Sequence, residues 1–293
     1  MLEQQLFNAL VLGSIYALFA LGFTLTFGVL RVINLMYGFY FTIGAFLALL
    51  GVQALHLPLF LACIGAVVGS GIIGVVLDGL LLTPLRRARA PELSSLIVTL
   101  GGVLLMNNLM TIVFGVDVRR FPAGLLGQRV LTLGPVDLGW TQIIIVLATF
   151  VMVAAIFFLL EKTRAGLAIR ALAGNPDAAS LMGVNVGRIV MLVSFVSALF
   201  TGIAGVLIGL NFNAVDPYMG ESIILRGFVV VIIGGLGNIR GALIAGLGLG
   251  LVEVMTAGYV SSSLKEAVGF SALVVTLWLR PQGLFGRPSG KRA

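Results

Sequence analysis

The sequence predicts an all-α polytopic membrane protein, a bundle of about eight or nine transmembrane helices with short or broken helices near its N-terminal and C-terminal thirds. Of its 293 residues, 59% are hydrophobic and only 10% are charged, whereas soluble domains carry about 25% charged residues. Each spanning helix needs about 20 mostly apolar residues, so the chain leaves no room for a separate soluble domain. We therefore interpret residues 1–293 as a single transmembrane domain.

Stretches with almost no charged residues predict long spans in the first two thirds of the chain, and Asp78 is the one charged residue inside them. They cover Leu6–Phe27, Leu35–Val52, Leu59–Leu82, Ser94–Val116, Thr141–Leu160 and Ile189–Leu210. The second and third spans are divided near His56-Leu57-Pro58.

The apolar pieces of the C-terminal third, Ile223–Ile233, Ala242–Ala257 and Ala267–Leu279, are shorter and are interrupted by glycine and charge. Short, glycine-broken segments are typical of a transport pathway. Three ordinary tilted helices are the alternative.

The distribution of basic residues predicts the orientation, because cytoplasmic loops are enriched in Lys and Arg. This places the loop 161–188 and the C-terminus in the cytoplasm and the loop 117–139 outside, although the latter contains Arg119, Arg120 and Arg129. The net charge of +7 is thus explained by orientation and does not indicate nucleic-acid binding. Most of the 18 basic residues lie on the predicted cytoplasmic side: Arg31, Arg86, Arg87, Arg89, Lys162, Arg164, Arg170, Arg188, Arg240, Arg280, Arg287, Lys291 and Arg292.

Several kinds of chemistry are absent from the sequence. No phosphate-binding G-x-x-x-x-G-K-[ST] motif occurs, since the only Gly-Lys pair, Gly290-Lys291, is followed by Arg292. A single histidine, His56, and a single cysteine, Cys63, exclude the common zinc motifs. We therefore expect no catalytic residues, no metal site and no directly bound cofactor, and an enzyme is the weaker class.

Polar residues inside spans are expensive and often functional, and they are our candidates for a translocation pathway. Glu253 is the strongest candidate, because a carboxylate in so apolar a helix needs a partner or water. Glu221 and Arg226 flank a helix start, where structural and functional interpretations are equally open. For the asparagines, an interhelical hydrogen bond is the alternative, and for Glu253 it is snorkelling to an interface. The candidates are Asn34, Tyr37, Asn107, Asn108 and Glu253.

The loop 161–188 contains a strong helix start. Asn175 is a good N-cap, Pro176 suits the first helical position, and Asp177 favours the positive end of the helix dipole. Gly183 is a natural terminator, so a two-turn helix is predicted. The small residues Ala178 and Ala179 would let a partner surface approach closely, and Leu181 and Met182 would form an exposed apolar knob. The alternative is a helix that lies on its own bundle or on lipid.

Several separated blocks of the chain resemble one known family. These blocks are Gly13–Leu18, Ala20–Leu25, Phe27–Asn34, Arg170–Asn185, Gly227–Gly241 and Leu279–Gly286. They are similar to the permeases of branched-chain amino-acid ATP-binding-cassette importers, and most of all to the LivH-type subunit. One departure is Met36-Tyr37-Gly38, where the family carries a small residue and His before the glycine.

This resemblance implies a bacterial-type inner-membrane importer that works as a complex. Its partners would be a second, LivM-like permease, two LivG/LivF-like ATPases that bind ATP and Mg²⁺, and an external solute-binding protein. The helix that begins after Asn175 would couple the permease to an ATPase. The substrate would be a branched-chain amino acid, with urea, amides or other amino acids as alternatives. A stand-alone ion-coupled carrier is the competing class, which would need several intramembrane acids.

Overall fold

The computed structural model of the chain describes residues 2–88, 90–122, 130–133 and 136–286. A π-helical segment, Asp78–Leu82, joins α3 to α4, a 3-10 turn at Ser262–Leu264 precedes α12, and two antiparallel strands, β1 (Val130–Leu133) and β2 (Val136–Gly139), precede α6. The α-helices are α1 (Leu2–Leu30), α2 (Tyr37–Gln53), α3 (Leu59–Leu77), α4 (Thr83–Arg87), α5 (Glu92–Phe114), α6 (Trp140–Lys162), α7 (Arg164–Gly174), α8 (Pro176–Leu181), α9 (Val186–Phe212), α10 (Met219–Gly234), α11 (Ile239–Tyr259) and α12 (Lys265–Leu279).

The helices confirm a polytopic all-α membrane protein. Within the described residues, seven helical stretches are long and apolar enough to cross a membrane, and α2 is a shorter apolar helix. The 16-residue α10 lies in the same bundle. The sequence predicted eight or nine spans, and the described bundle contains seven helical stretches of spanning length together with the shorter α2 and α10. The long stretches are Leu2–Leu30, Leu59–Arg87, Leu93–Phe114, Trp140–Lys162, Val186–Phe212, Ile239–Tyr259 and Ser262–Leu279.

Helix α1 forms the centre of the bundle, and its residues from Gly13 to Thr26 are all buried. It meets α11 backbone to backbone: a Cβ added at Gly250 would lie 2.4 Å from Gly13 Cα, and one at Gly246 would lie 2.7 Å from Ala17 N. Lipid tails are as apolar as leucine, so close van der Waals contact between small residues drives such association. The glycines of α1 and α11 therefore set the position of the central pair.

The helical path is interrupted between α1 and α2 and again between α10 and α11. Arg31 has a φ of 52°, and Gly235 and Gly237 have φ values of 94° and 81°, a region that glycine enters without steric cost. A Cβ added at Gly28 would lie 3.0 Å from Gly237 Cα. The two interruptions, far apart in sequence, thus contact each other.

The segment after α12 closes the turn between α10 and α11. The amide of Leu284 donates to the Ile233 carbonyl at 2.8 Å, and Asn238 Nδ2 donates to the Phe285 carbonyl at 2.8 Å. Asn238 also caps α11 by accepting from the Gly241 amide at 3.1 Å. Residues 283–286 therefore provide hydrogen-bond partners for polar groups that have none within the turn itself.

The two loops that the sequence places on opposite sides lie at opposite ends of the bundle. At one end, Gln53 Nε2 donates to the Arg120 carbonyl at 2.9 Å, and Arg119 pairs with Val215. At the other end, Arg240 lies 3.6 Å from Glu161. Arg89, Arg129, Arg287, Lys291 and Arg292 lie outside the described residues.

Some elements differ from the sequence-based expectation. The prediction that Ala242–Ala257 is a short, glycine-broken piece is wrong, because α11 is a continuous helix of 21 residues. Glycine destabilises an isolated helix. In α11, close packing of the glycines against α1 compensates for this loss. Among the described membrane helices, α2, α10 and α12 are short, with 17, 16 and 15 residues. No sequence pattern indicated α7 or the strand pair.

Two neighbouring glycines of α11 provide a test of the central contact. Gly250→Ala places a methyl group against α1 and should destabilise the protein by about 1–3 kcal/mol. Gly248 has open space around its Cβ position, so Gly248→Ala should be neutral or stabilising by up to about 1 kcal/mol. Thermal unfolding in detergent compares the two, and equal effects would contradict backbone contact as the determinant.

Candidate functional site

A cavity of about 400 Å³ lies between α10, α11 and α12. Its wall combines charged side chains with an apolar surface, and it opens beside the exposed start of α10. Ligand pockets of this size typically combine apolar walls with a few placed polar groups. The charged residues are Glu221, Arg226, Glu253 and Glu266, and the apolar ones include Leu225, Val229, Leu249 and Phe270.

An ion-pair network joins four helices at the cavity. Glu253, only 2% exposed, lies 3.6 Å through Oε1 from Arg226 Nε, and its Oε2 accepts from the Tyr16 hydroxyl at 2.7 Å. Arg226 Nη2 also donates to Glu266 Oε1 at 2.7 Å. A buried charge is tolerated only when it is paired and hydrogen-bonded, so the expectation that Glu253 needs a partner is met by Arg226 and Tyr16.

A second contact holds the start of α10 against α5. Asn107 Nδ2 donates to Glu221 Oε1 at 2.9 Å, and Thr111 Oγ1 donates to the Tyr218 hydroxyl at 3.3 Å. Asn107 lies about 10 Å along α5 from its end at Phe114, at 1.5 Å per residue. Glu221 is exposed, so this bond holds a solvent-accessible carboxylate of the cavity wall against α5.

The other predicted pathway residues lie elsewhere. Asn34 is buried, and its Oδ1 accepts from the Met36 amide at 2.9 Å. The buried Tyr37 donates its hydroxyl to Thr26 Oγ1, which donates to Ser197 Oγ at 2.8 Å. These bonds connect α2, α1 and α9.

Asn108 is exposed and donates to the Leu104 carbonyl of its own helix at 2.7 Å. Of the five candidates, only Glu253 lines the cavity, and only Asn107 bonds to one of its wall residues. The sequence pattern missed Tyr16 and Glu266, whose roles depend on which helices pack together.

The loop 161–188 folds into two helices. Asn175 caps α8 by accepting from the amides of Asp177 and Ala178 at 3.0 and 3.1 Å. At its end, Gly183 has a φ of 84°, and the amides of Gly183 and Val184 donate to the carbonyls of Ser180 and Ala179, which is a Schellman motif. The predicted start and stop of this helix are therefore confirmed.

The outer surface of α8 differs from the prediction at one residue. Leu181 and Met182 are 89% and 79% exposed, as expected of an apolar knob. Ala179 is only 2% exposed, so the expectation that it offers a close approach to a partner is wrong. Its position on the inner side of a two-turn helix explains this burial, since one face of so short a helix packs on its own protein.

The part of the chain that contains both the cavity and α8 is similar to one family of known proteins. A family model described as "Branched-chain amino acid transport system / permease component" matches residues 5–277. The chain belongs to this permease family. The match includes every helix that contributes to the ion-pair network and to the loop 161–188, so this permease is a membrane transport protein.

Individual members of the family are similar over nearly their whole length. The permease is 30% identical to LivH, the high-affinity branched-chain amino acid transport system permease protein of Salmonella typhimurium, over 97% of this chain and 96% of LivH. BraD of Pseudomonas aeruginosa is 29% identical with the same coverage. The ribose import permease protein RbsC of Escherichia coli is 26% identical over 92% of this chain and 85% of RbsC. The comparison with solved structures gives no significant match.

The buried ion pair provides a test of the site. Glu253→Gln removes the charge that faces Arg226 and should reduce solute uptake by about tenfold or more, since charged hydrogen bonds contribute about 1.5–3 kcal/mol. Breaking a buried ion pair by removing one partner usually destabilises a protein by about 3–5 kcal/mol. The loss of stability in Glu253→Gln should be smaller, because Arg226 keeps Glu266 as a partner. Tyr16→Phe is the control, because it removes one hydrogen bond and leaves both charges.

Uptake and thermal unfolding of the purified complex are measured together for the wild type and both variants. Wild-type uptake by Glu253→Gln would show that the ion pair serves stability alone.

Proposed function

We propose that this chain is a transmembrane permease subunit of an ATP-binding-cassette importer that carries branched-chain amino acids inward, using ATP hydrolysed by partner subunits. The observation that carries the proposal is the family match over residues 5–277, together with relatives of equal length that are named for this transport. The chemistry of the cavity agrees with the proposal, because a zwitterion with an aliphatic side chain requires both charged partners and an apolar surface.

The proposed complex contains a second, LivM-like permease, two LivG/LivF-like ATPases with ATP and Mg²⁺, and an external solute-binding protein. It lies in a bacterial-type inner membrane, with the loop 161–188 and the C-terminus in the cytoplasm. The end of the bundle that bears Arg31, Arg170 and Arg240 is rich in basic residues, which favours the cytoplasmic side. On this orientation α8 faces the ATPases.

The coupling role of α8 rests on its surface. Two large apolar side chains that are exposed at the tip of a polar loop mark a protein interaction site. Leu181 and Met182 form such a tip, and the Asn175 cap and the Gly183 motif fix its shape. We propose that this tip docks in a socket on an ATPase subunit.

A different small polar solute is the second candidate. The similarity to RbsC favours this candidate, because RbsC is named for the import of ribose, a solute without charge. Urea, amides and other amino acids fall in the same class of alternatives.

Uptake in liposomes tests the function. The permease is co-purified with the subunits encoded beside it, reconstituted, and supplied with ATP at the ATPase side and with binding protein at the other. We expect ATP-dependent uptake of labelled leucine, isoleucine and valine and no uptake of urea or ribose. Uptake of urea or ribose instead would support the second candidate, and uptake driven by an ion gradient without ATP would support a stand-alone carrier.

Substitutions in α8 test coupling. Leu181→Asp puts a charge on the proposed contact, and Asn175→Ala removes a cap worth about 0.5–2 kcal/mol, so both should reduce co-purification of the ATPases and solute-stimulated ATP hydrolysis. Leu55→Asp is the matched control, because Leu55 is 68% exposed in the loop after α2, at the opposite end of the bundle. Ala179→Glu would disturb the packing of the loop and is unsuitable as an interface probe.

Wild-type values for Leu181→Asp in both assays would place the ATPase contact elsewhere. A loss in Leu55→Asp of the same size would show that the assay reports general damage and would remove the support for α8.

A further inference from the structure

We propose that the cavity between α10, α11 and α12 binds both charged groups of an amino-acid solute, with Arg226 holding the carboxylate and Glu221 holding the ammonium group. The inference rests on the proposed function and assigns its solute a site within this chain. Three features support it: two opposite charges that line one cavity, the lack of an ion-pair partner for Glu221 among the described residues, and the apolar surface beside them.

Glu221 and Arg226 carry opposite charges and share one cavity. Both residues lie on α10 and both line the cavity wall. The carboxylate and the ammonium group of an amino acid each favour a partner of opposite charge, and charge-assisted hydrogen bonds are about twice as strong as neutral ones. The wall therefore offers a partner to each charged end of a zwitterion.

The charge balance of the wall calls for a cation near Glu221. Arg226 pairs with the buried Glu253 at 3.6 Å and with Glu266 at 2.7 Å. Glu266 is 64% exposed, so a solute carboxylate can displace it from Arg226 into solvent. Glu221 bonds to the neutral amide of Asn107, and among the described residues no ion pair includes it. A solute ammonium group would supply the missing positive charge.

The carboxylates of the cavity do not form a metal cage. Within the part of the chain that the structure describes, no group of three or more His, Cys, Asp and Glu residues is arranged to hold a metal ion.

The apolar part of the wall matches an aliphatic side chain. Leu225, Val229 and Leu249 line the cavity beside the charged groups, and Phe270 covers them from α12. The volume of about 400 Å³ falls in the range of small-molecule pockets, which run from about 300 to 1,000 Å³. A solute with two charges at one end and a branched hydrocarbon at the other satisfies each surface.

Direct binding to the importer tests the proposal. The complex with its partner permease and ATPases is purified without binding protein, and binding of labelled leucine is measured by scintillation proximity. The competitors are 3-methylbutylamine, which lacks the carboxylate, and 4-methylpentanoate, which lacks the ammonium group. We expect unlabelled leucine to displace the label and each competitor to be weaker by about tenfold or more, the effect of losing one charged partner.

The variant Glu221→Gln identifies the ammonium partner. It keeps an oxygen for Asn107 and should weaken leucine binding by about tenfold or more, while the affinity for 4-methylpentanoate is unchanged. Glu161→Gln is the control, because Glu161 is an exposed carboxylate that lies 3.6 Å from a basic residue, Arg240, outside the cavity. Its leucine binding should equal that of the wild type.

Leucine binding by Glu221→Gln that equals the wild type would overturn the proposal, as would equal competition by leucine and 4-methylpentanoate in the wild-type complex. If the wild type imports leucine into liposomes under these conditions, the proposed function stands and only the clamp is wrong. If the wild type imports no leucine, the proposed function fails first.

Discussion

The contact of α1 with α11 is the interaction on which the rest of the bundle depends. In a membrane there is no water to drive helices together, so the strength of a helix pair depends on how closely the two backbones approach. Gly13, Gly246 and Gly250 allow an approach that any side chain would prevent. With α1 enclosed in this way, α11 presents Glu253 towards Tyr16 and α10, so the central packing contact also positions the buried charge.

The polar groups of the cavity follow from a second constraint, that membrane-embedded polar groups must find partners within the protein. Arg226 satisfies Glu253 and Glu266, and Asn107 satisfies Glu221. These three contacts draw on α5, α10, α11 and α12, and Tyr16 of α1 adds a fourth. The short helix α10 is the common member of these contacts, so a helix of only 16 residues keeps Arg226 paired with two other helices.

The sequence predicted local features well and long-range ones poorly. Charge-free stretches located the spans, and Asn175-Pro176 with Gly183 located both ends of α8, because caps are local interactions between neighbouring residues. Glu253 was recognised as a group in need of a partner, but a single sequence contains no information on which helix supplies it. The burial of Ala179 and the continuity of α11 were missed for the same reason, since both depend on what packs against the helix.

The closing of the α10–α11 turn by residues 283–286 has a consequence for biosynthesis. The carbonyl of Ile233 and the side chain of Asn238 receive their partners from Leu284 and Phe285, which leave the ribosome only after α11 and α12 have been made. Until these residues are synthesised, the carbonyl and the side chain in the turn have no protein partner, and water can hydrogen-bond to them instead. Completion of this turn is therefore a late event, which depends on the synthesis of residues 283–286 and not on the order of the helices.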